Sequence, residues 1–336
     1  MTPVLSPSSQ SALFPFALVE ERLEAVDREI RGQADIFEPE VKGYLAHVCG
    51  AGGKRIRPAL VLLAGDALGG AKAEHERLGV ILELVHMASL VHDDIIDGAE
   101  TRRSTPTANK KWGNALSVLL GDALFAHAMT EATQFDDIEI CRVIGRASRD
   151  VCVGEIMQTQ RRYDFNLSIK DYFRMIEMKT AVLFAVAGSL AARLSGADAE
   201  TCEALHDYGI KLGTAYQIYD DCIDLVGKES AIGKTLGTDL KKGKLTLPVL
   251  NLIRSATPAQ RAKLNRLFLG GADINQDVLA GIADYSGALQ EAVATGRELA
   301  AGAAKRLEVL PEGDARDALL GVAAYLDGLL EGCVRG

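Results

Sequence analysis

Apolar residues recur along most of the chain at the three- and four-residue spacing of amphipathic helices. The first such stretch places Leu18, Leu23, Val26 and Ile30 on one face. Short glycine-containing breaks, such as GGA at 69–71 and SGAD at 195–198, separate one helical stretch from the next. Alternating strand patterns are scarce, and aromatic residues make up only 5% of the chain, which favours helices over sheets. The pattern predicts an all-α protein.

The N-terminal segment has a different composition from the rest of the chain. Residues 1–17 are rich in serine and proline and predict a flexible segment. From residue 18 to residue 336 no shift in composition marks a linker. We therefore expect one domain over 18–336, and the 48% apolar content is sufficient for a large core.

Charge and cysteine usage exclude several classes of protein. A net charge of −9 disfavours nucleic acid as a partner. The six cysteines show no C-x-x-C pair or Cys/His cluster, as is typical of free thiols in a reducing compartment. The N-terminus lacks the basic region of a signal peptide, and no run of about 18 apolar residues indicates a membrane span. We expect a cytoplasmic protein.

The window Leu78–Asp97 is apolar around most of its circumference, which predicts a central buried helix. Its few polar groups fall on one stripe. His86, Asp93 and Asp97 stand at i, i+7 and i+11, within roughly 40° of one another at 100° per residue. A buried helix thus carries carboxylates in line near its C-terminal end.

A second window repeats this arrangement, with Gly213, Gln217, Asp220 and Asp224 at i, i+4, i+7 and i+11. Like charges four residues apart destabilise a helix, and carboxylates near a C-terminus oppose its dipole, so local propensity does not explain them. Either motif alone could be an ordinary solvated helix end. Two such motifs, each in an apolar helix, favour a functional interpretation.

Carboxylates without nitrogen or sulfur neighbours suit a hard cation such as Mg²⁺, which keeps water and phosphate oxygens among its ligands. A phosphate-bearing ligand should then be surrounded by basic residues. This acidic chain has such residues in four short stretches: Lys54, Arg55 and Arg57 in GGKRIRP, Arg102 and Arg103 in TRRSTPT, Lys179 in MKTA, and Lys234 and Lys244 in GKTLGTDLKKGKLTLP.

These stretches, together with DDIID and YQIYDDCIDL, occur in one order between Gly52 and Pro248 and resemble the all-trans isoprenyl (polyprenyl) diphosphate synthases of the long-chain type. The resemblance implies the isoprenoid synthase fold, an all-α single-domain bundle of about ten or more helices around a deep central cavity. It implies a prenyltransferase that condenses isopentenyl diphosphate with an allylic prenyl diphosphate and releases pyrophosphate.

The resemblance also implies a role for each matching residue. The metal ligands, for about three Mg²⁺ ions bound with the allylic diphosphate, would be Asp93, Asp97, Asp220 and Asp224. The groups that bind the allylic diphosphate would be Arg102, Lys179, Lys234 and Lys244. Those that bind isopentenyl diphosphate would be Lys54, Arg57, His86 and Arg103. The catalytic residues would be Lys179, Thr180 and Gln217, of which Thr180 and Gln217 would lie beside the allylic carbons.

His86 has a second interpretation, because a lone histidine in an apolar helix is more often a hydrogen-bonded core residue. Its place on the carboxylate stripe favours the ligand role. No nucleophilic side chain is needed for this chemistry, in agreement with the absence of a G-x-S-x-G or Walker-type motif.

Product length in the family is set below the first aspartate motif, where short-chain synthases place an aromatic residue. Here Ala88 and Ser89 stand at those positions, and both are small. Phe125 and Met129 could form a lower floor, although bulky residues at helical spacing are usually ordinary core. We expect a long product of about C30 to C50, of the kind used in quinone side chains.

Three alternatives remain at this point. A farnesyl or geranylgeranyl diphosphate synthase would use the same residues and stop earlier. A class I terpene cyclase would need Ser or Thr at the fifth and Glu at the ninth position of its second motif, where this chain has Asp224 and Lys228. A non-catalytic synthase subunit would be expected to have lost a ligand. The resemblance further implies a homodimer, and product release suggests transient membrane contact without a transmembrane segment.

Overall fold

The computed structural model describes residues 15–103, 105–226, 238–270 and 276–335. Within these ranges nearly all regular structure is helical, and the strands form one antiparallel pair, β1 (Thr101–Arg102) and β2 (Thr105–Pro106). This confirms the all-α prediction. Most of the predicted flexible segment, residues 1–14, lies outside the described residues. Phe16 is buried and begins the described core.

The helices of the first half of the chain are α1 (Glu20–Gly32), α2 (Pro39–Cys49), α3 (Ile56–Ala67), α4 (Ala73–Ile96), α5 (Ala108–Trp112), α6 (Asn114–Ala132) and α7 (Ile138–Gln160). They are followed by α8 (Ile169–Ile176), a π turn (Glu177–Ala181), α9 (Val182–Leu194) and α10 (Ala199–Val226). The last described helices are α11 (Thr238–Lys241), α12 (Leu247–Ser255), α13 (Pro258–Leu269), α14 (Gln276–Ala280), α15 (Tyr285–Arg306) and α16 (Asp314–Arg335). Short 3₁₀ turns occupy Ala17–Val19, Gln33–Ile36 and Leu307–Val309.

The chain divides into two compact units. Unit 1 comprises Met1–Arg149, Leu183–Gly209 and Ala304–Tyr325. Unit 2 comprises Asp150–Val182, Ile210–Ala303 and Leu326–Gly336. The single domain over 18–336 stays a prediction.

Unit 1 is built around α4, which packs against α1, α3 and α6. Ten or more of its side chains are buried on all sides, as its apolar circumference predicts. The helix ends in a Schellman motif: the N–H of Gly98 donates to Ile95, and that of Ala99 donates to Asp94. Gly98 has a φ of 61°, which explains why glycine directly follows the aspartate motif.

Unit 2 contains the C-terminal part of α10, which carries the second aspartate motif. Gly296 on α15 lets neighbouring helices approach closely, because a Cβ at this position would lie 2.9 Å from Leu330 and 3.3 Å from Ile218. Ile218, two residues before Asp220 on α10, is fully buried. The close packing fixes the helix from which Asp220 and Asp224 project.

One continuous stretch, Ile169–Leu194, is long and apolar enough to cross a membrane by length and composition alone. It covers 26 residues, and 72% of its apolar window is buried inside the protein. Such burial is that of a core helix in a folded protein, which meets the same criteria.

Candidate substrate and metal site

The loop before α3 contains an arginine that is committed to the fold. Arg55 has a φ of 47° and is 6% exposed. Its Nη1 donates to the Glu83 carboxylate at 2.8 Å, and its Nη2 lies 2.7 Å from an oxygen of Asp27. Burial acts to lower the pKa of Arg55, but these two carboxylates raise it above its ordinary value. Arg55 therefore anchors the loop, and its neighbours Lys54 and Arg57 are the candidates for substrate.

A close approach brings this loop together with the hairpin. A Cβ on Gly53 would lie 2.8 Å from Nη1 of Arg103 and 3.2 Å from Nη1 of Arg55. Only a glycine leaves room for both guanidinium groups without a shift. The structure thus places Arg103 beside the Lys54 loop, as expected if both bind one substrate.

The pKa of His86 is lowered by burial of its imidazole and by the positive charges of four arginines. Burial, followed by the charges of Arg57, Arg103, Arg102 and Arg55, holds the pKa of His86 well below its ordinary value. The ring is therefore neutral at pH 7. Arg57 is itself buried, with its guanidinium carbon 4.8 Å from the centre of the Phe184 ring. This concentration of positive charge around a neutral imidazole is suited to a diphosphate.

The three aspartates of the first motif differ in burial: Asp94, the inner aspartate, is buried, and Asp93 and Asp97, the outer aspartates, are half-buried. Asp94 is 6% exposed; its Oδ1 accepts from Nη2 of Arg102 at 2.8 Å and its Oδ2 accepts from Nε at 3.2 Å, a bidentate ion pair. Asp93 and Asp97 are half-buried on the stripe. The structure thus joins Arg102 to the motif, while its predicted contact with the allylic diphosphate stays a prediction.

The second motif belongs to a hydrogen-bonded chain within unit 2. The Thr180 hydroxyl donates to Oε1 of Gln217 at 2.7 Å, and Nε2 of Gln217 donates to Asp221 at 2.8 Å. The other oxygen of Asp221 accepts from the Tyr172 hydroxyl at 2.6 Å. Burial raises the pKa of Asp221 to about 8. Two of the predicted catalytic residues, Thr180 and Gln217, are therefore in direct contact and held in place by the buried aspartate.

Lys179 is fixed by α7. Its Nζ forms an ion pair with Glu155 and donates to Oε1 of Gln158 at 2.9 Å. A Cβ on Gly154 would lie 2.6 Å from the backbone nitrogen of Lys179, so glycine is required where α7 passes the π turn. The π turn itself is a local irregularity of the kind common at functional sites.

Asp224 and Lys244 meet at Asp239. Asp224 is 3% exposed and accepts from the backbone N–H of Asp239 at 3.2 Å. Nζ of the buried Lys244 lies 3.8 Å from the Asp239 carboxylate. Asp220 is half-buried one turn earlier on α10. Lys234, also predicted to bind the allylic diphosphate, lies outside the described residues.

The residues assigned to product length lie on α4 and α6. Ala88 is fully buried, and the Ser89 hydroxyl donates to the backbone oxygen of His86 at 2.7 Å. On α6, Phe125 is partly exposed, with its ring centre 6.0 Å from that of His92. Met129, one turn further on, is also partly exposed. Small side chains at 88 and 89 leave this part of α4 without aromatic bulk.

The chemistry of the donor set fits magnesium. Among the described residues, no three His, Cys, Asp or Glu side chains come together as a metal-holding group. Each motif instead offers carboxylate oxygens, with Cys222 of the second motif fully buried, and Mg²⁺ takes one or two carboxylates while phosphate and water oxygens complete its shell. The motifs thus match a metal that arrives with a diphosphate.

Sequence reasoning missed the residues that position the site. Each of them pairs with a predicted site residue, with Arg55 in the loop of Lys54, or with Asp221. They are Asp27, Glu83, Asp94, Glu155, Gln158, Tyr172, Asp221 and Asp239. The i+8 spacing of Asp94 and Arg102 could have indicated their pairing. The i+4 spacing of Gln217 and Asp221 could likewise have indicated their contact, whereas the partners of Glu83, Glu155 and Tyr172 lie far away in the sequence.

This helical fold with basic side chains gathered at acidic helix ends is that of a prenyltransferase of the isoprenoid synthase class. The chain belongs to the polyprenyl synthetase family, whose sequence model matches residues 38–283.

It is 34% identical over 314 residues to heptaprenyl diphosphate synthase component 2 of Bacillus subtilis, covering 93% of this chain and 89% of that protein. It is 34% identical to octaprenyl diphosphate synthase of Haemophilus influenzae, covering 91% and 93%. A crystal structure of a Caulobacter crescentus polyprenyl synthase complexed with calcium and isoprenyl diphosphate superposes with a TM-score of 0.86 at 33% identity, covering 97% of this chain and 99% of that one.

Proposed function

We propose that this protein condenses isopentenyl diphosphate with an allylic prenyl diphosphate, repeatedly, to give an all-trans polyprenyl diphosphate of about C30 to C50. The observation that carries the proposal is the set of buried ion pairs and hydrogen bonds that fix both aspartate motifs and their basic neighbours in a chain of the polyprenyl synthetase family. Such a product would serve as a quinone side chain.

The allylic diphosphate is bound by Arg102, Lys179, Lys234 and Lys244 together with Asp93, Asp97, Asp220 and Asp224, which would hold about three Mg²⁺ ions. When bound, magnesium neutralises charge on the departing pyrophosphate. Lys179, held by Glu155, adds a fixed positive charge at the same group. Ionisation of the C–O bond would thereby be favoured, because the charge that develops on the leaving group is stabilised.

Isopentenyl diphosphate is bound by Lys54, Arg57, His86 and Arg103, which orient its double bond towards the allylic carbon. The new C–C bond forms when that double bond captures the carbocation, and a proton then leaves the adduct. Thr180 and Gln217 present their oxygens as dipoles beside the cation, and their mutual hydrogen bond keeps them oriented. No side chain forms a covalent bond to substrate.

Long product length is supported by two observations. Ala88 and Ser89 are small, and relatives at 34% identity are named heptaprenyl and octaprenyl diphosphate synthases. A relative from Methanothermobacter thermautotrophicus at 33% identity is named a short chain isoprenyl diphosphate synthase. A farnesyl or geranylgeranyl product is therefore the alternative that the assay has to distinguish.

The protein acts in the cytoplasm as a homodimer, with membrane contact during release of its product. The relative named component 2 introduces a second possibility for assembly, a catalytic subunit that works with a different partner chain. Mass measurement of the purified protein distinguishes a homodimer from a monomer that awaits such a partner.

The test is to incubate the purified protein with labelled isopentenyl diphosphate, farnesyl diphosphate and Mg²⁺ and to measure the length of the dephosphorylated products. We expect a product of about thirty carbons or more, and no product from Asp93→Ala. Asp136→Ala, which removes an exposed aspartate elsewhere in unit 1, should behave as the unmodified protein. Accumulation of a product one unit longer than the primer would contradict the long-chain assignment. Absence of any condensation would contradict the proposed activity.

A further inference from the structure

The loop between α7 and α8 carries a tyrosine in an uncommon backbone conformation. Tyr163 has a φ of 60°, in the left-handed region that bulky residues rarely occupy unless the surrounding structure holds them there. The residue is 40% exposed, so burial of the ring does not account for its conformation. Its contacts lie on a second loop of unit 2, Lys241–Lys244, between α11 and α12.

Three contacts join Tyr163 to this loop. Its backbone N–H donates to the Gly243 oxygen at 2.8 Å, and its hydroxyl donates to the Lys241 oxygen at 3.1 Å. A Cβ on Gly243 would lie 2.5 Å from the tyrosine ring, and Gly243 has a φ of 76°. The glycine is required both for its own backbone conformation and for the close approach of the ring.

The tyrosine is presented by a loop that is itself fixed. Next to it, Asp164 accepts from Nη1 of Arg161 at 2.7 Å. The ring of Phe165 stacks on Phe268, with centres 5.8 Å apart and planes at 14°. Tyr163 therefore contacts the Lys241–Lys244 loop from a rigid support.

The supported loop carries two groups of the proposed site. The N–H of Lys244 donates to the Asp239 backbone oxygen at 2.8 Å, and its Nζ lies 3.8 Å from the Asp239 carboxylate. The N–H of Asp239 donates to Asp224 at 3.2 Å. Movement of the loop would therefore displace the lysine assigned to the diphosphate and a hydrogen bond to an assigned metal ligand.

We propose that Tyr163 is a positioning residue of this site, which acts through the Lys241–Lys244 loop to fix Lys244 and Asp224. The inference rests on the proposed function, since it assigns those two groups to the allylic diphosphate and its magnesium. Tyr163 does not contact the reacting atoms. It sets the affinity for one substrate and for the metal, and leaves the isopentenyl diphosphate groups of unit 1 unaffected.

The test compares Tyr163→Ala, Tyr163→Phe and Gly243→Ala by steady-state kinetics with farnesyl diphosphate, isopentenyl diphosphate and Mg²⁺ varied in turn. Tyr163→Ala and Gly243→Ala should raise the KM for farnesyl diphosphate about five- to tenfold, less than full loss of a hydrogen bond to a charged group, because Lys244 is displaced and not removed. They should raise the half-saturating Mg²⁺ concentration in parallel and leave the KM for isopentenyl diphosphate unchanged. Tyr163→Phe keeps the ring and the backbone contact and should stay within about threefold of the unmodified protein.

Asn166→Ala provides a matched control, because it truncates an exposed side chain of the same loop. Amide hydrogen exchange of residues 239–246 gives a readout independent of activity and should accelerate in Tyr163→Ala but not in Asn166→Ala. A lower Tm in Tyr163→Ala with both KM values and the Mg²⁺ requirement unchanged would overturn the inference and leave the proposed function standing. An unmodified protein that fails to condense the two substrates would overturn the proposed function and this inference with it.

Discussion

The glycine pair before Lys54 allows a sharp test of how the loop serves isopentenyl diphosphate. A Cβ on Gly53 would lie 2.8 Å from Nη1 of Arg103, whereas a Cβ on Gly52 would meet nothing within 4 Å. Neither glycine has a positive φ. Gly53→Ala and Gly52→Ala therefore make the same chemical change in the same loop, and only the first one disturbs the arginine.

The magnitude follows from the clash. Contact at 2.8 Å is closer than a carbon and a nitrogen tolerate, so the Arg103 guanidinium has to move by about half an ångström or more. Loss of one charge-assisted hydrogen bond to a phosphate costs about 1.5–3 kcal/mol, which is about ten- to a hundredfold in binding. Stability should fall modestly, because the 3.2 Å contact with Nη1 of the buried Arg55 also has to give, although alanine reduces the entropy of the unfolded chain.

The assay is steady-state condensation with isopentenyl diphosphate varied at saturating farnesyl diphosphate. Gly53→Ala should raise the KM for isopentenyl diphosphate at least about tenfold relative to Gly52→Ala, with at most a modestly lower Tm and an unchanged KM for farnesyl diphosphate. Equal KM values for isopentenyl diphosphate in the two variants would refute the placement of Arg103 at that substrate. A parallel rise in both KM values would instead indicate general disturbance of the loop.

Three further predictions concern buried polar groups. Asp94→Asn should lower kcat/KM about tenfold or more by releasing Arg102, and restoration of activity by higher Mg²⁺ alone would contradict this explanation. Glu155→Gln should lower kcat/KM for farnesyl diphosphate about tenfold by loosening Lys179, with the KM for isopentenyl diphosphate as its internal control. Burial lowers the pKa of His75, whose Nδ1 already accepts a backbone N–H. Below about pH 6.5 the unfolded chain therefore binds more protons at His75 than the folded protein does. The free energy of unfolding should fall as pH drops below about 6.5, by at most about 1.4 kcal/mol per pH unit. Thermal unfolding at pH 7 and pH 5 should show a smaller loss for His75→Gln than for the unmodified protein.

The helical fold could be predicted because its signals are local. The apolar circumference of α4, its end at Gly98 and the stripe through Asp93 and Asp97 follow from residues close together in the sequence. The helical spacing of Gln217, Asp220 and Asp224 likewise placed Gln217 on the same face of α10 as the second aspartate motif, and Gln217 contacts Thr180. Such features do not depend on which distant segment packs alongside.

The supporting groups could not be predicted because their partners are remote. Glu83 lies 28 residues from Arg55, and Tyr172 lies 49 residues from Asp221. Nothing in the local sequence distinguishes these residues from ordinary helix residues. Each finds its buried hydrogen-bond partner only when the helices pack together. The π turn that carries Lys179 has no sequence signature of its own, since it follows from the packing of neighbouring residues rather than from local propensity.

The middle position of each aspartate motif explains why three like charges are tolerated on one helical turn. On a helix, residues i and i+4 share a face, while residue i+1 points about 100° away. Asp94 and Asp221 occupy that rotated position, and both are buried against donors, the first against Arg102 and the second against Gln217 and a tyrosine hydroxyl. The inner aspartate thus contributes to the fold through a satisfied buried contact, and the outer pair remains on the stripe. Substitution of an inner aspartate should therefore act through the residues it holds and not through metal affinity alone.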